Sequence, residues 1–554
     1  MRYPAVLELN YVPGSFTYLE EKNTPKRERC ILKEKYNPEQ DIFRVHSTMF
    51  DFTSSTEITW AVVAVLITFV VYYAWSLVRP KYVGQNIPPF PAPKRFLTGH
   101  LHLWVPKQEL EVVRGMRAAA GDIFSLDFFG KLMVIVNGHE NVKEICTKHW
   151  NEAPDRPVFV HQHVLDEVNC GVLNATGENW KAQRTATISI MRDLGMGKSR
   201  LAERIVEEVE VFVNKLKSFD AKPVDFKLLI NISVSNVICA MIIGKRFDHS
   251  DPYFLKLVKQ VDIAFTKVPT LAIGILVQFA RYLPFDVTGI KMWVDSMFTF
   301  RHEFALPYIE ASKQNSLENE STDCYIPAYR QKMEQETQKH ATKFLNEKNL
   351  SASILHLFLG GTETTSTTIT WCVLYCLHHP EVQEKAFKEI NAHVGVNRFP
   401  TIADKPQLCY VEAIVRETQR MSAVSALLPR IASKDFEFKG YTIPKDTIIL
   451  INTVSCLQDA KNWGDPEKFR PERFLTKEGT LHSPEEFVPF GMGKRTCLAE
   501  NLAKMELFLF MAALIQNFRF EPENPEEMPT MKGQIQMVHA PVPYKVKFVP
   551  RSLE

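Results

Sequence analysis

No sign of charge dominates this chain. Its 554 residues hold 66 Lys and Arg against 64 Asp and Glu, a net charge of +2, so its field implies no nucleic-acid partner. Internal repeats and low-complexity tracts are missing, and no second linker follows Pro93, which favours one large folded unit over a solenoid or a string of domains. There is no P-loop and no G-x-G-x-x-G segment, so the chain carries neither of these nucleotide cradles. Its ten cysteines lack the spacing of a disulfide framework, and a chain of this length needs no staples, which places the folded part in a reducing compartment. Cys372, Cys376, His378 and His379 close an apolar helical pattern without a second ligand cluster, so they read as core and helix-end residues before they read as a zinc site.

What is present is more specific. Phe490 to Glu500 reads FGMGKRTCLAE and leads into the apolar helical run LAKMELFLFMAALIQNF. Gly491 and Gly493 allow a tight turn around a flat ligand, while Lys494 and Arg495 set positive charge beside Cys497. A cysteine at the amino end of a helix gains about 0.3 to 1 kcal/mol for its anion from the dipole, and a thiolate is a strong iron ligand. Upstream, LFLGGTETTSTT spans Leu357 to Thr368 in a long apolar pattern that begins near Leu350 and stops at His379. Two glycines inside a helix cost about 1 kcal/mol each, so Gly360 and Gly361 imply a close approach to the backbone. Thr364 lies four residues after Gly360, where its hydroxyl reaches back to that carbonyl and opens a local bulge, and Glu363 beside it can relay protons. VRETQR sets Glu417 and Arg420 on one helix face, FRPERF carries Arg473, and TGENWKAQR sets Trp180 and Arg184 one turn apart.

These motifs, in this order from Trp180 to Cys497, resemble the cytochrome P-450 superfamily of haem-thiolate monooxygenases over about Pro88 to Arg551. Phe490, Gly493, Arg495 and Cys497 match the haem-binding loop, with Ala499 where glycine is usual. The wording around GMGKRTCL and ELFLF is most similar to animal microsomal members of the second large family. The resemblance implies haem b with the Cys497 thiolate as axial ligand. Trp180, Arg184, Arg495 and, after Pro429, Arg430 would then meet its two propionates. Glu363 and Thr364 would deliver protons during oxygen activation, and Glu417, Arg420 and Arg473 would lock the core behind the haem without entering the chemistry. Monooxygenation of a lipophilic substrate with O2 is the implied activity, with electrons from NADPH through a separate NADPH-cytochrome P-450 reductase. Steroid, fatty acid, terpenoid and foreign compound all stay open, because MSAVSALLP departs from its relatives beside the substrate. Two other classes share the cysteine loop. A haem-thiolate isomerase or dehydratase would dispense with the acid and threonine, and a haem-binding sensor would not need Thr364.

The implied fold is mainly α with small β-sheets, preceded by one N-terminal transmembrane helix. From Ile58 to Val78 about 21 residues run without a charge, enough to cross a hydrocarbon core, with Trp60, Tyr72, Tyr73 and Trp75 toward its ends. Arg79, Lys81, Lys94 and Arg95 follow, and Pro88, Pro89, Pro91 and Pro93 stiffen the connection, so 79–95 reads as a basic, proline-rich hinge. The catalytic domain, 96–554, is then expected on the cytosolic face of the endoplasmic reticulum membrane, held by a single pass. Residues 49–57 suit a short lumenal tail, whereas 1–48 hold eight Lys or Arg and oppose that orientation. That extension is expected to be foreign to the family, an alternative or mispredicted start. Phe124 to Val136 and Phe436 to Leu450 read as strand hairpins, and Leu201 to Arg301 reads as helical and amphipathic.

Overall fold

The computed structural model describes residues 59–551, except 61, 70, 71, 73, 74, 76–79, 81, 106, 107, 159, 196–198, 267–288, 316–322 and 339–342. The expected extension 1–48 and tail 49–57 lie outside the described residues, as does part of the expected membrane helix. The chain forms two units, 1–71 and 72–554. In the first, residues 59, 60 and 62–69 are helical, and Thr68 donates to the Ala64 carbonyl at 2.8 Å.

The second unit is mainly helical with small sheets. Six of its helices build the site: α1 Gly171–Asn174, α2 Gly177–Asp193, α3 Phe226–Ile243, α4 Glu347–His378, α5 Cys409–Ser422 and α6 Glu500–Asn517. Asn346 caps α4 by accepting from Asn349 N, and the helix runs unbroken until Pro380 begins the next one. It is buried along nearly its whole length, which explains why its apolar pattern has no clear polar face. α3, α5 and α6 pack around it. Among the described residues α3 is the one helix long and apolar enough to cross a membrane, yet most of it is buried against α4 and its neighbours, as a core helix is.

One sheet has four strands, β1 Ile123–Phe128, β2 Lys131–Val136, β3 Leu427–Ile431 and β4 Ile448–Asn452, in the order β1-β2-β4-β3. β1 and β2 form the expected hairpin, turning at Phe129 and Gly130, both left-handed, with Asp127 Oδ1 accepting from Gly130 N at 2.8 Å. The second expected hairpin is shorter than its pattern implied. Phe436–Phe438 pairs with Tyr441–Ile443 and stops there, while the fully buried β4 crosses to pair parallel with β2 and antiparallel with β3. A continuous apolar strand belongs between two partners, not at the edge of a ribbon. The region Leu201 to Arg301 is largely helical where described, interrupted at 218–225, where Val224–Asp225 joins Lys545–Pro550 in a small sheet, and at 244–251.

Candidate active site: the Cys497 loop and the central helix

The loop is built by close approach. Gly493 has φ +72°, and a Cβ there would lie 2.2 Å from the Cys146 carbonyl oxygen, so its glycine is required by packing against the end of helix His139–Thr147. The expected reason, a tight turn, applies to Gly491, which has φ +75° while a Cβ there would make only ordinary contact, 3.4 Å from Leu428 Cδ1. Cys497 N donates to the Phe490 carbonyl at 3.0 Å and closes the loop. Ala499 sits at φ −100° as the N-cap of α6, a conformation alanine adopts freely, so the usual glycine is not needed.

Cys497 is accessible while the loop around it is half-buried. Burial among the surrounding protein nevertheless pushes its thiol up, opposed by a hydrogen bond from Ala499 N and by the charges of Arg184 and Arg156. The cations that favour the thiolate are Arg184 and Arg156, where the sequence pointed to Lys494 and Arg495. Lys494 lies over the Trp150 ring at 4.3 Å, Arg495 is engaged elsewhere, and α6 begins only at Glu500. A cation bound directly at the sulfur is what would hold the anion.

Beside the loop four guanidinium groups gather. Arg495 donates to the Pro154, Leu173 and Ala175 carbonyls at 3.0, 3.2 and 2.9 Å and stacks 4.2 Å over Trp180. Arg184, on α2, donates to the Thr496 carbonyl at 2.9 Å. Arg430, on β3, donates to the Pro429 carbonyl at 2.9 Å. Arg156, unmarked in the sequence reading, completes the group: its charge is felt with those of Arg430 and Arg495, and its Nε is buried without a partner. Burial and mutual repulsion push the Arg156 guanidinium well below its usual range and bring Arg495 down to about 9. Among the described residues one carboxylate pairs with the cluster, Asp155, 3.7 Å from Arg495. Buried cations so poorly compensated are costly unless an anion joins them.

On α4, Gly360 is exposed and Thr364 half-buried in a stretch where Thr362, Glu363 and Thr365 are buried. Thr364 Oγ1 donates to the Gly360 carbonyl at 2.7 Å as expected, but the helix does not bulge. The two glycines part company. A Cβ on Gly360 would meet nothing, whereas one on Gly361 would lie 2.4 Å from Ile238 Cδ1 on α3. Glu363 points away from this opening. Its Oε1 pairs with Lys227 Nζ at 2.7 Å and accepts from Thr367 at 3.0 Å, and Asn231 donates to Oε2 at 3.5 Å. The sequence gives no local sign of Lys227, since the pair joins residues far apart in the chain.

Behind the loop, Glu417 and Arg420 are fully buried and bidentate, with both N···O distances 2.8 Å. Arg473 Nε joins Glu417 at 3.2 Å and binds Asp465 at 2.6 Å. A pair common on helix surfaces is here the centre of a core network.

The Cytochrome P450 family model matches residues 88–548. The chain belongs to the cytochrome P450 family. It is 34% identical to cytochrome P450 2J3 of Rattus norvegicus over 85% of this chain and 92% of that one. It is 33% identical to cytochrome P450 2H2 of Gallus gallus, covering 84% and 94%, and 32% identical to cytochrome P450 2E1 of Rattus norvegicus, covering 89% and 100%. Members of the P450 family are haem-thiolate monooxygenases, and the residues here fit that group: an accessible cysteine next to buried, under-compensated guanidiniums suits an iron porphyrin with two carboxylates. Cys497 would hold the iron, and Arg156, Arg184, Arg430 and Arg495 the carboxylates.

Proposed function

We propose that this P450 inserts one oxygen atom from O2 into a lipophilic substrate, by hydroxylation or epoxidation, at the face where Gly360 and Thr364 open from α4. The substrate would be a steroid, fatty acid, terpenoid or foreign compound. The observation that carries this reading is the opening itself. In a buried helix, one exposed glycine and one half-buried threonine leave a polar hydroxyl beside space for small molecules, which an isomerase or a sensor would not require.

The haem, when bound through Cys497, supplies the oxygen-activating chemistry. This chain's residues supply the rest. Thr364 donates its hydroxyl proton to the Gly360 carbonyl, which fixes the hydroxyl and leaves its oxygen free to accept at the opening. Glu363 is the buried acid nearest in sequence, and its carboxylate must leave Lys227 to serve Thr364. Lys227 is itself partly exposed, so it links that acid to solvent. Arg156, Arg184, Arg430 and Arg495 would neutralise the cofactor's carboxylates and orient it against the loop. Glu417, Arg420 and Arg473 hold the core and stay out of the chemistry.

Electrons would come from NADPH through a separate NADPH-cytochrome P-450 reductase. The likeness to animal cytochromes P450 and the apolar run 58–78, followed by basic residues, support a single-pass anchor in the endoplasmic reticulum membrane with the catalytic domain cytosolic. Thr364→Ala tests the central assignment. It should keep haem and substrate binding while diverting electron flow from product to peroxide. Wild-type coupling in that variant would remove Thr364 from proton delivery.

A further inference from the structure

The short helix α1 is held at its two ends by different parts of the protein. A helix start leaves N–H groups without partners, and no capping side chain serves α1. The acceptors come instead from α4. Gly171 N donates to Asn349 Oδ1 at 2.8 Å, Val172 N to Ser353 Oγ at 3.2 Å, and Leu173 N to His356 Nδ1 at 3.4 Å. Asn349, Ser353 and His356 recur at helical spacing, so one stripe of α4 receives three successive donors. Gly171, with φ +71°, is what allows the contact: a Cβ there would lie 2.6 Å from His356 Nδ1 and 2.8 Å from the Ala352 Cβ.

At the other end the carbonyls of Leu173 and Ala175 accept from Arg495 Nη1 and Nη2. A cation at the carbonyl end of a helix is favourably placed. Leu173 thus donates toward α4 and accepts from the cationic cluster through one peptide segment.

His356 lies one turn before Gly360 and two before Thr364 on the same face of α4. Its ring also lies 3.0 Å, at Nε2, from the Asn174 side-chain amide. A neutral imidazole offers one acceptor and one donor. With Nδ1 accepting from Leu173, Nε2 bears the hydrogen, and Asn174 must turn its amide oxygen toward it.

We infer that Asn349, Ser353 and His356 form a clasp of positioning residues. They fix α1 so that the Leu173 and Ala175 carbonyls aim Arg495 at the cofactor's carboxylate, and His356, one turn before Gly360, thereby holds the haem from a distance. The inference rests on the haem site proposed above.

Transfer of haem from the holoenzyme to apomyoglobin tests it in wild type, His356→Leu, His356→Gln and Ser353→Ala, each checked for thermal unfolding. Losing one acceptor should speed haem release about tenfold in His356→Leu. His356→Gln, whose amide oxygen can accept, should restore most of the wild-type rate. Ser353→Ala removes an acceptor with little volume, and it should accelerate release even if His356→Leu yields no folded protein. Wild-type rates in His356→Leu or in Ser353→Ala would overturn the clasp, as would a His356→Gln rate equal to that of His356→Leu, which would assign the effect to lost ring volume. Wild-type protein that binds no haem would instead overturn the haem site itself.

Discussion

Glu417 shows how far a single residue's meaning depends on its surroundings. In the sequence it is one half of an i, i+3 pair of a kind worth a few tenths of a kcal/mol on a surface. In the structure it is fully buried, bound by Arg420 and Arg473 and by the Arg470 backbone N–H at 2.9 Å. Removing one partner of a buried ionic network leaves charge without compensation, so Glu417→Ala should cost about 3 to 5 kcal/mol, read as lost soluble protein or a lowered denaturation midpoint. Cys497, Trp180, Arg184, Arg430 and Arg495 were legible because each sits in a local motif. Arg156 and Lys227 were not, because nothing within a few residues of either announces a role. The signal nearest to Arg156 is its position between Pro154 and Pro157, a loop pinned in place.

At the scale of elements, the contact of α4 with α6 carries a buried acid. Glu506 on α6 accepts from Thr365 Oγ1 at 3.3 Å, and burial pushes its carboxyl up to about 8. Between the ordinary carboxylate range and that value the folded protein keeps a proton that the unfolded chain has lost, so folding stability falls as pH rises through this window. Glu506→Gln, which mimics the neutral acid, should therefore gain stability over wild type at pH 8 relative to pH 5, measured by denaturant unfolding at both. Equal differences at the two values would show that Glu506 does not titrate there. The long helix α4 could be read from its apolar pattern and from Pro380. The destination of β4 could not, because an apolar run after a turn fits either a hairpin or a central strand, and only its partners β2 and β3 decide.

At the scale of the whole molecule, the mainly helical fold followed from motifs spread along one chain, while the expected membrane segment rests on composition alone. Deleting residues 1–78 should move the protein from the membrane to the soluble fraction while it keeps its haem. An equally membrane-bound truncation would place the dominant anchor elsewhere. Peptide mapping of the native amino terminus bears on the extension, and peptides from Leu7 to Arg44 would show that 1–48 is made. The account as a whole depends on one bond, between Cys497 and iron, and the carbon monoxide difference spectrum of the reduced protein tests it most directly. A strongly red-shifted Soret band in wild type, lost in Cys497→Ala, is the result expected here. A band at the histidine-ligated position, or folded wild-type protein without haem, would contradict it.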